Sequence, residues 1–255
     1  MSTGRVEGKV CLVTGGGSGL GRADTVRLAA EGAIVITTDV DLKGAEETAR
    51  LAGNTNVEVM QQDVVDEERW SAIIADIVDR HGKLNVLVNN AGIVIPGTVE
   101  TAATEDFRKQ QQIMSDGVYF GMKYAIPAMV KNGERCSIIN MSSTASLLGY
   151  PVVFAYAAAK GAVRAMTKSA AVHCVQSGYK IRVNSLHPSG IDTPMVRNLD
   201  TSGEATPPAP PPETNGVGIG EAEDVANAVL FLASYESKFI NGIEMPIDNT
   251  TVVQT

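Results

Sequence analysis

Three side chains between residues 143 and 160 combine types and spacing that suit proton transfer at an oxygen atom. Tyr156 and Lys160 are four residues apart, so on a helix they share one face. An ammonium group beside a phenol favours the phenolate, so we expect Lys160 to lower the tyrosine pKa toward the working range of an acid–base catalyst. Ser143 ends a predicted strand just ahead of them and can hydrogen-bond the same oxygen. The three residues predict acid–base catalysis.

A glycine cluster, TGGGSGLG over residues 14–21, follows the apolar run KVCLVTG and opens the helical stretch GRADTVRLAAEG. A glycine turn between a strand and a helix brings free backbone N–H groups and the positive end of the helix to one place, which suits a pyrophosphate. The spacing differs from the G-x-G-x-x-G of the standard dinucleotide fingerprint. The turn therefore predicts a cofactor site only together with the strand that follows it.

Asp39 ends that next strand, eighteen residues after Gly21. A carboxylate at this place can accept hydrogen bonds from the adenosine ribose hydroxyls and would repel a 2′-phosphate. The glycine turn itself supplies no cation for such a phosphate, although Arg22 lies just beyond it and stays open as a partner. The pattern favours NAD over NADP.

The elements that must hold these residues alternate regularly along the chain. Short β-branched runs alternate with longer stretches of helical periodicity, such as DEERWSAIIADIVDRHG, which predicts a surface helix over 66–82. Several of the runs are apolar on both faces, as in parallel strands covered by helices on each side. The chain therefore predicts a Rossmann-like α/β fold with a doubly wound parallel sheet. The expected strands are KVCLVTG, AIVITTD, VEVMQQD, LNVLVNN, CSIINMS, IRVNSLHP and, as a plausible seventh, GIEMPID.

The segment ATPPAPPPETNGVGIG, residues 205–220, carries five prolines and interrupts this alternation. A helix, EAEDVANAVLFLAS, and the last strand follow it and complete the α/β pattern. We therefore predict one domain over residues 1–255, with a substrate loop at about 195–218.

Composition excludes several classes of function. The 255 residues are 44% hydrophobic and 20% charged, with a net charge of −8 and no cluster of Lys and Arg, so nucleic acid is not an expected partner. No apolar stretch reaches the length of a membrane span, and the N-terminus lacks a signal-peptide pattern, which predicts a cytoplasmic protein without membrane partners. The three cysteines lack metal-site spacing, and no metal site is predicted.

Taken together, these motifs resemble the short-chain dehydrogenase/reductase family from about Lys9 to Asp248. The resemblance implies a catalytic centre of Ser143, Tyr156 and Lys160 and a dinucleotide cofactor, NAD or, less favoured, NADP. It also implies assembly as a homotetramer or homodimer. The positions that match the family's cofactor contacts are Gly15, Ser18, Gly19, Leu20, Asp39, Asp63, Val64, Asn90, Ala91, Gly92, Tyr156, Lys160, Ile191 and Thr193.

Two segments depart from the family pattern. In HPSGIDTP, residues 187–194, Ser189 is inserted between the usual Pro and Gly. In QQQIMSDGVYFG, Ser115 stands where the family has an asparagine that holds a proton-relay water. Serine is shorter and lacks the carboxamide, so either it keeps the relay through rearranged water or proton transfer is slowed. We include Ser115 among the catalytic residues on that basis.

The expected substrate is a small hydrophobic alcohol or ketone. Segments such as LNVLVNNAGI and GIEMPIDNT are similar to bacterial 3β/17β-hydroxysteroid dehydrogenases and related secondary alcohol dehydrogenases of the family. Two alternatives stay open: an isomerase, epimerase or dehydratase on the same scaffold that uses bound NAD, and a non-catalytic dinucleotide-binding protein. The predicted substrate-pocket residues are mostly apolar or small and comprise Thr144, Ala145, Tyr150, Val152 and Met195.

Overall fold

The computed structural model describes residues 4–53, 56–199 and 218–253. All seven predicted strands are present. They are β1 (Val10–Thr14), β2 (Ile34–Asp39), β3 (Val57–Gln61), β4 (Val86–Asn89), β5 (Cys136–Met141), β6 (Ile181–Pro188) and β7 (Glu244–Ile247).

The strands form one sheet in the order β3-β2-β1-β4-β5-β6-β7, and every neighbouring pair is parallel. The order reverses between β1 and β4, so the crossover connections of the two halves run away from each other there. In open α/β sheets this reversal leaves a crevice at the carboxyl ends of the strands, where ligands bind. The Rossmann-like doubly wound fold is confirmed.

Helices cover both faces of the sheet. They are α1 (Gly19–Ala30), α2 (Leu42–Leu51), α3 (Glu67–His81), α4 (Thr104–Gln111), α5 (Gly117–Asn132), α6 (Phe154–Gln176), α7 (Pro194–Arg197) and α8 (Ala222–Ala233). A π-helical turn at Gln112–Asp116 joins α4 to α5, and a 3₁₀ turn at Thr144–Ser146 follows β5.

Two hydrophobic cores lie on opposite faces because side chains alternate along each strand. In β1, Leu12 packs into the core that holds Trp70 of α3, whereas Val13 packs into the core that holds Leu28 of α1 and Val229 of α8. The strands are therefore apolar on both sides, as the sequence runs predicted.

The predicted helix near residues 66–82 is α3, and its ends have a local cause. The Asp66 carboxylate accepts the Arg69 backbone N–H at 3.0 Å, which caps the first turn. Gly82 follows the last turn with a φ of +74°, a left-handed conformation that glycine adopts readily.

The predicted substrate loop at about 195–218 lies largely outside the described residues, and its role stays a prediction. The single-domain assignment also stays a prediction. Cys11, Cys136 and Cys174 are buried and unpaired. No helix in the described ranges is both long and apolar enough to span a bilayer.

Candidate active site

A cavity of about 350 Å³ opens at the carboxyl ends of β1, β2 and β4–β6, where the strand order reverses. It brings together residues that are distant in sequence, including Ser143, Tyr156 and Lys160. Each position matched to the family's cofactor contacts also lines it, namely Gly15, Ser18, Gly19, Leu20, Asp39, Asp63, Val64, Asn90, Ala91, Gly92, Tyr156, Lys160, Ile191 and Thr193.

Four glycines of the turn leave no room for a side chain, namely Gly15, Gly16, Gly17 and Gly21. Gly15 has a φ of +68°, and a Cβ there would lie 2.7 Å from the Ala91 Cα. A Cβ on Gly17 would lie 2.8 Å from the Asp39 Oδ2. Backbone atoms therefore form the floor of the cavity at the N-terminus of α1, where the helix dipole favours an anion. This close-packed cradle fits the pyrophosphate of a dinucleotide.

Asp39 is fixed by the chain around it. Its Oδ2 accepts the Gly17 N–H at 2.8 Å, and its Oδ1 accepts the Asp41 N–H at 2.9 Å. The carboxylate is thus tied to the glycine turn on one side and to the start of α2 on the other. Its remaining lone pairs can accept hydroxyl protons from a ribose, as the sequence predicted.

Arg22 faces the protein backbone. Its guanidinium donates hydrogen bonds to the Gly17 carbonyl, to the Thr48 Oγ1 at 3.0 Å and to the Gly44 carbonyl at 3.4 Å. These bonds join α1 to α2 beneath the glycine turn. A 2′-phosphate would have to compete with them for this cation.

Another wall of the cavity comes from the segments that follow β3 and β4. Asp63 caps the turn after β3 by accepting the Val65 N–H at 3.1 Å. Asn90 donates through Nδ2 to the carbonyls of Thr14 at 3.0 Å and Gly15 at 3.2 Å, which fastens the end of β4 to the glycine turn. The segment at Asn90 thus supports the turn, and its backbone lines the cavity.

The three predicted catalytic residues converge from two elements. Ser143 follows β5, accepts the Ala145 N–H at 3.1 Å and donates to the Pro188 carbonyl at 3.4 Å. Tyr156 lies in the first turn of α6 and is hydrogen-bonded to Ser143. Lys160 is one turn further along; its Nζ lies 5.5 Å from the centroid of the Tyr156 ring and donates to the Met141 carbonyl at 2.7 Å. An oxygen atom placed beside Ser143 and Tyr156 would contact both hydroxyls.

The pKa directions differ from the expectation for the tyrosine. Burial raises the pKa of Tyr156, and the hydrogen bond from Ser143 opposes that rise without reversing it. Burial also lowers the pKa of Lys160 to about 8, because desolvation disfavours the ammonium. The pKa of Tyr156 is therefore raised, contrary to the expectation of a lowered value, and burial is the main cause.

Ser115 lies in the π-helical turn and does not line the cavity formed by the described residues. Its hydroxyl donates to the Gln111 Oε1 at 3.4 Å, and the Gln111 Nε2 donates to the Ala155 carbonyl at 3.0 Å. Ser115 is thus connected through Gln111 to the backbone just before Tyr156. Single π-helical turns often occur at functional sites, and no sequence pattern predicted this one.

The segment after β6 closes the cavity over the glycine turn. Ile191 and Thr193 are nearly buried, and the Thr193 Cβ lies 3.5 Å from the position that a Gly19 Cβ would take. The inserted Ser189 donates its backbone N–H to the Ile247 carbonyl at 3.1 Å, and its hydroxyl bonds to the Thr251 Oγ1 at 3.1 Å. The insertion is held by the segment after β7, and Ser189 still lines the cavity.

Of the five residues predicted for the substrate pocket, only Met195 lines this cavity. Thr144 and Ala145, in the 3₁₀ turn after Ser143, and Val152 are buried outside the lining of the cavity. Tyr150 is half-buried and also lies outside it. Their substrate role stays a prediction. Val196 also lines the cavity and falls within the predicted substrate loop. The sequence analysis missed other apolar lining residues, among them Ile93 and Ile113. Their nearness to the NNAG segment and to Ser115 was the available signal.

His187, in β6, forms hydrogen bonds behind the site. It is fully buried, its Nε2 bonds to the Ser185 Oγ at 2.8 Å, and its Nδ1 lies 3.2 Å from the Ser143 carbonyl and 3.0 Å from the Ser146 Oγ. Burial lowers its pKa, which keeps the ring neutral at pH 7. The imidazole holds the backbone of Ser143 from behind the site.

Comparisons with known proteins agree with this geometry. A family model described as enoyl-(acyl carrier protein) reductase matches residues 15–249. The chain is 40% identical over 253 residues to an NADP-dependent (R)-specific alcohol dehydrogenase of Lentilactobacillus kefiri, covering 99% of this chain and 100% of that protein. It is 41% identical over 250 residues to a 3-beta-hydroxysteroid dehydrogenase of Comamonas testosteroni, covering 97% of each. The crystal structure of carveol dehydrogenase from Mycobacterium avium in complex with NAD superposes with a TM-score of 0.88 at 30% identity, covering 99% of this chain and 100% of that one.

Proposed function

The chain belongs to the short-chain dehydrogenase/reductase family of oxidoreductases, and we propose that it uses NAD(H) to interconvert hydrophobic secondary alcohols and ketones at Ser143, Tyr156 and Lys160. The observation that carries the proposal is the shared cavity. The three acid–base side chains face the same space as a glycine turn and the Asp39 carboxylate.

The preference for NAD rests on Asp39 and Arg22. Asp39 presents a negative charge where the adenosine ribose would lie, and the cation nearest to the turn is already bonded to backbone carbonyls. A 2′-phosphate would be repelled by the Asp39 carboxylate and would have to replace the hydrogen bonds of the Arg22 guanidinium. The relative from Lentilactobacillus kefiri is NADP-dependent, so a direct cofactor comparison is the decisive test of this part.

The mechanism assigns a separate task to each side chain. When bound, the nicotinamide cofactor supplies hydride chemistry. Ser143 and Tyr156 bind the oxygen of the alcohol or ketone. Tyr156 takes the hydroxyl proton during oxidation and returns a proton to the carbonyl oxygen during reduction. Lys160 lies over the tyrosine ring, and in its charged form it favours the phenolate.

The expected substrates are bulky and apolar, such as aryl, cyclic or steroid-like alcohols and ketones. Ile93, Ile113, Met195 and Val196 line the cavity and present hydrocarbon surface. None of the described residues lining it is an arginine, and the lysine there donates to the Met141 carbonyl. A phosphorylated substrate would find no free cation in this set.

A homotetramer or homodimer in the cytoplasm completes the proposal. A groove between α5 and α6 exposes apolar surface from Tyr119, Ile126, Val130 and Met166. A second copy of the chain would bury that surface.

The test is the absorbance of reduced nicotinamide after the protein is mixed with NAD or NADP and a panel of aryl, cyclic and steroid secondary alcohols. Turnover with NAD well above NADP would support the proposal. Faster turnover with NADP would overturn the cofactor assignment. Bound NAD that survives purification, without net turnover of any alcohol, would favour an isomerase, epimerase or dehydratase. Cofactor binding without any chemistry would favour a dinucleotide-binding protein.

A further inference from the structure

A second cavity, of about 400 Å³, lies at the amino ends of the strands, the opposite end of the sheet from the active site. Its walls come from the starts of β1, β5 and β6, from the end of α6 and from the connection between α8 and β7. We call it the basal cavity. Nothing in the proposed oxidoreductase chemistry uses it.

The basal cavity is strongly cationic in a chain whose net charge is −8. Five cationic residues line it, and no Asp or Glu of the described residues does. The five are Lys9, Arg135, Lys180, Arg182 and Lys238. The carboxylates adjacent in sequence are engaged elsewhere: Glu134 bonds to Lys83 and Asn85, and Glu236 bonds to Arg5. A low-dielectric concavity lined by one sign of charge concentrates small ions of the opposite sign.

The inner cations form the wall, and they crowd each other. Lys9 donates to the Ala233 carbonyl at 2.8 Å, and Arg182 donates to the Leu232 carbonyl at 2.7 Å. Burial lowers the pKa of Arg182, and the charge of Arg135 acts in the same direction. Burial also lowers the pKa of Lys9, with Arg182 adding to the effect. An anion in the cavity would relieve this repulsion.

The outer part of the cavity combines two available cations with exposed aromatic rings. Arg135 and Lys238 each lie 5.2 Å from the centroid of the Tyr235 ring, and among the described residues neither side chain forms an ion pair or a hydrogen bond. The Phe239 side chain beside them is 99% exposed. A planar guanidinium binds a carboxylate or phosphate through two parallel bonds, and an exposed aromatic ring gains by covering another ring.

We propose that the basal cavity binds a small organic anion attached to an aromatic ring, with the anion at Arg135 and Lys238 and the ring against Phe239. Carboxylates and phosphates share the required chemistry. The occupant is a small molecule because the cavity is concave and of the size typical of ligand pockets.

The experiment is calorimetric titration of the full-length protein with 2-naphthoate and with 1-naphthyl phosphate, which separates the two kinds of anion. Acetate supplies the charge without the ring, and 2-naphthol supplies the ring without the charge. We expect saturable binding of at least one naphthyl anion and binding at least tenfold weaker for acetate and naphthol. Arg135→Ala and Phe239→Ala should each weaken the bound probe at least tenfold. Both side chains are exposed, so their removal leaves the core intact.

Two controls locate the binding site. Arg108→Ala removes an exposed arginine of α4 that does not line the basal cavity and should leave the affinity unchanged. Ser143→Ala alters the active site and should also leave it unchanged, so this proposal and the proposed function can fail separately. The proposal is overturned if no naphthyl anion binds, if Arg135→Ala and Phe239→Ala bind it as tightly as the unmodified protein, or if Ser143→Ala abolishes binding. A change of oligomeric mass in Phe239→Ala would also overturn it, because the ring would then serve a subunit contact.

Discussion

On the side of the cavity formed by β1 and β2, the protein's polar groups are bonded to each other. Gly17 donates to Asp39, and Arg22 donates to the Gly17 carbonyl. On the side formed by β5 and α6, Tyr156 is half-buried, Lys160 is buried, and burial shifts the pKa values of both. We call the first side the mould side, because its groups hold each other in place. We call the second the protonation side, because Tyr156 and Lys160 can gain or lose protons. Cofactor preference should therefore depend on fixed geometry, and turnover on protonation.

The largest expected effect is on the protonation side. Tyr156→Phe removes the hydroxyl that exchanges the proton and should lower kcat by about 10²–10⁴-fold, the usual contribution of a general acid–base group. Cofactor affinity should fall much less than kcat, because the ring of Tyr156 stays in place and Asp39 and the glycine turn are unaltered on the mould side. Steady-state kinetics and a cofactor titration check both statements.

Tyr119→Phe is the matched control for that substitution, since Tyr119 is exposed on α5 and does not line the cavity. Retention of more than about a tenth of the activity by Tyr156→Phe would remove Tyr156 from its role.

On the mould side, Asp39→Ala should lower kcat/KM for NAD by about 10–100-fold while changing that for NADP much less. The substitution removes a charged acceptor, worth about 1.5–3 kcal/mol in a hydrogen bond, and leaves the Gly17 N–H without its partner. The ratio of the two kcat/KM values is the measurement. Asp79→Ala, at an exposed position of α3, serves as the control. An unchanged ratio would mean that Asp39 only shapes the turn.

The sequence predicted the two sides of the cavity to different extents. The residues of the mould side were predicted from a glycine turn and from strand ends, because parallel strands bring such ends together whatever their distance in the chain. The fold was equally predictable from the sequence, because strands buried on both faces appear there as continuous apolar runs.

The residues of the protonation side were harder to predict from the sequence, because burial and the local turns of the chain decide which of them line the cavity. An isoleucine such as Ile113 looks the same in sequence whether it lines a cavity or fills the core. Val152 lies nine residues after Ser143 in the chain, yet it is buried and does not line the cavity. The raised pKa of Tyr156 reflects desolvation, which spacing along a helix does not report.

The pH dependence of oxidation separates the two sides without a mutation. The pKa of Tyr156 is raised above its ordinary value of 10.0, so the phenolate fraction should rise about tenfold per pH unit from pH 6 to 9. We expect kcat/KM for alcohol oxidation to rise with it, with a change of slope near the Lys160 pKa of about 8. Ketone reduction, which needs the protonated phenol, should stay nearly flat over that range. An oxidation profile that is flat from pH 6 to 9 would contradict the assignment.

A smaller effect is expected where the π-helical turn meets α6. Gln111→Ala removes the hydrogen bond to the Ala155 carbonyl and should lower kcat by about 2–10-fold, in line with one hydrogen bond of about 0.5–1.5 kcal/mol. Gln112→Ala, at the exposed neighbouring position, is the matched control.

The double variant Gln111→Ala with Ser115→Asn tests whether a carboxamide at position 115 can replace the one removed at position 111. Recovery of kcat would show that Gln111 supplies the group that Ser115 lacks. No loss in Gln111→Ala itself would show that this contact does not position Tyr156.

Asp24 departs from the bonded pattern of the mould side, and it gives the smallest prediction. Its carboxyl lies fully buried in α1 behind the glycine turn, and neither oxygen has a hydrogen-bond partner in the described structure. Burial raises its pKa well above 3.8, so above that pH the carboxyl favours its neutral form more strongly in the folded protein than in the unfolded chain. Stability is therefore lost as the pH rises above that unfolded value. Asp24→Asn cannot ionise, and it should raise Tm at pH 7.5 by about 3–10 °C if the penalty is about 1–3 kcal/mol.

The gain in Tm from Asp24→Asn should shrink as the pH falls from 7.5 to 5. Folding has to protonate the Asp24 carboxylate of the unfolded chain, and this protonation costs less free energy at the lower pH. Asp79→Asn, on the exposed face of α3, should show no such trend. Thermal melts of both variants at the two pH values make the measurement. A lower Tm for Asp24→Asn at pH 7.5 would mean that the carboxyl is bonded in solution.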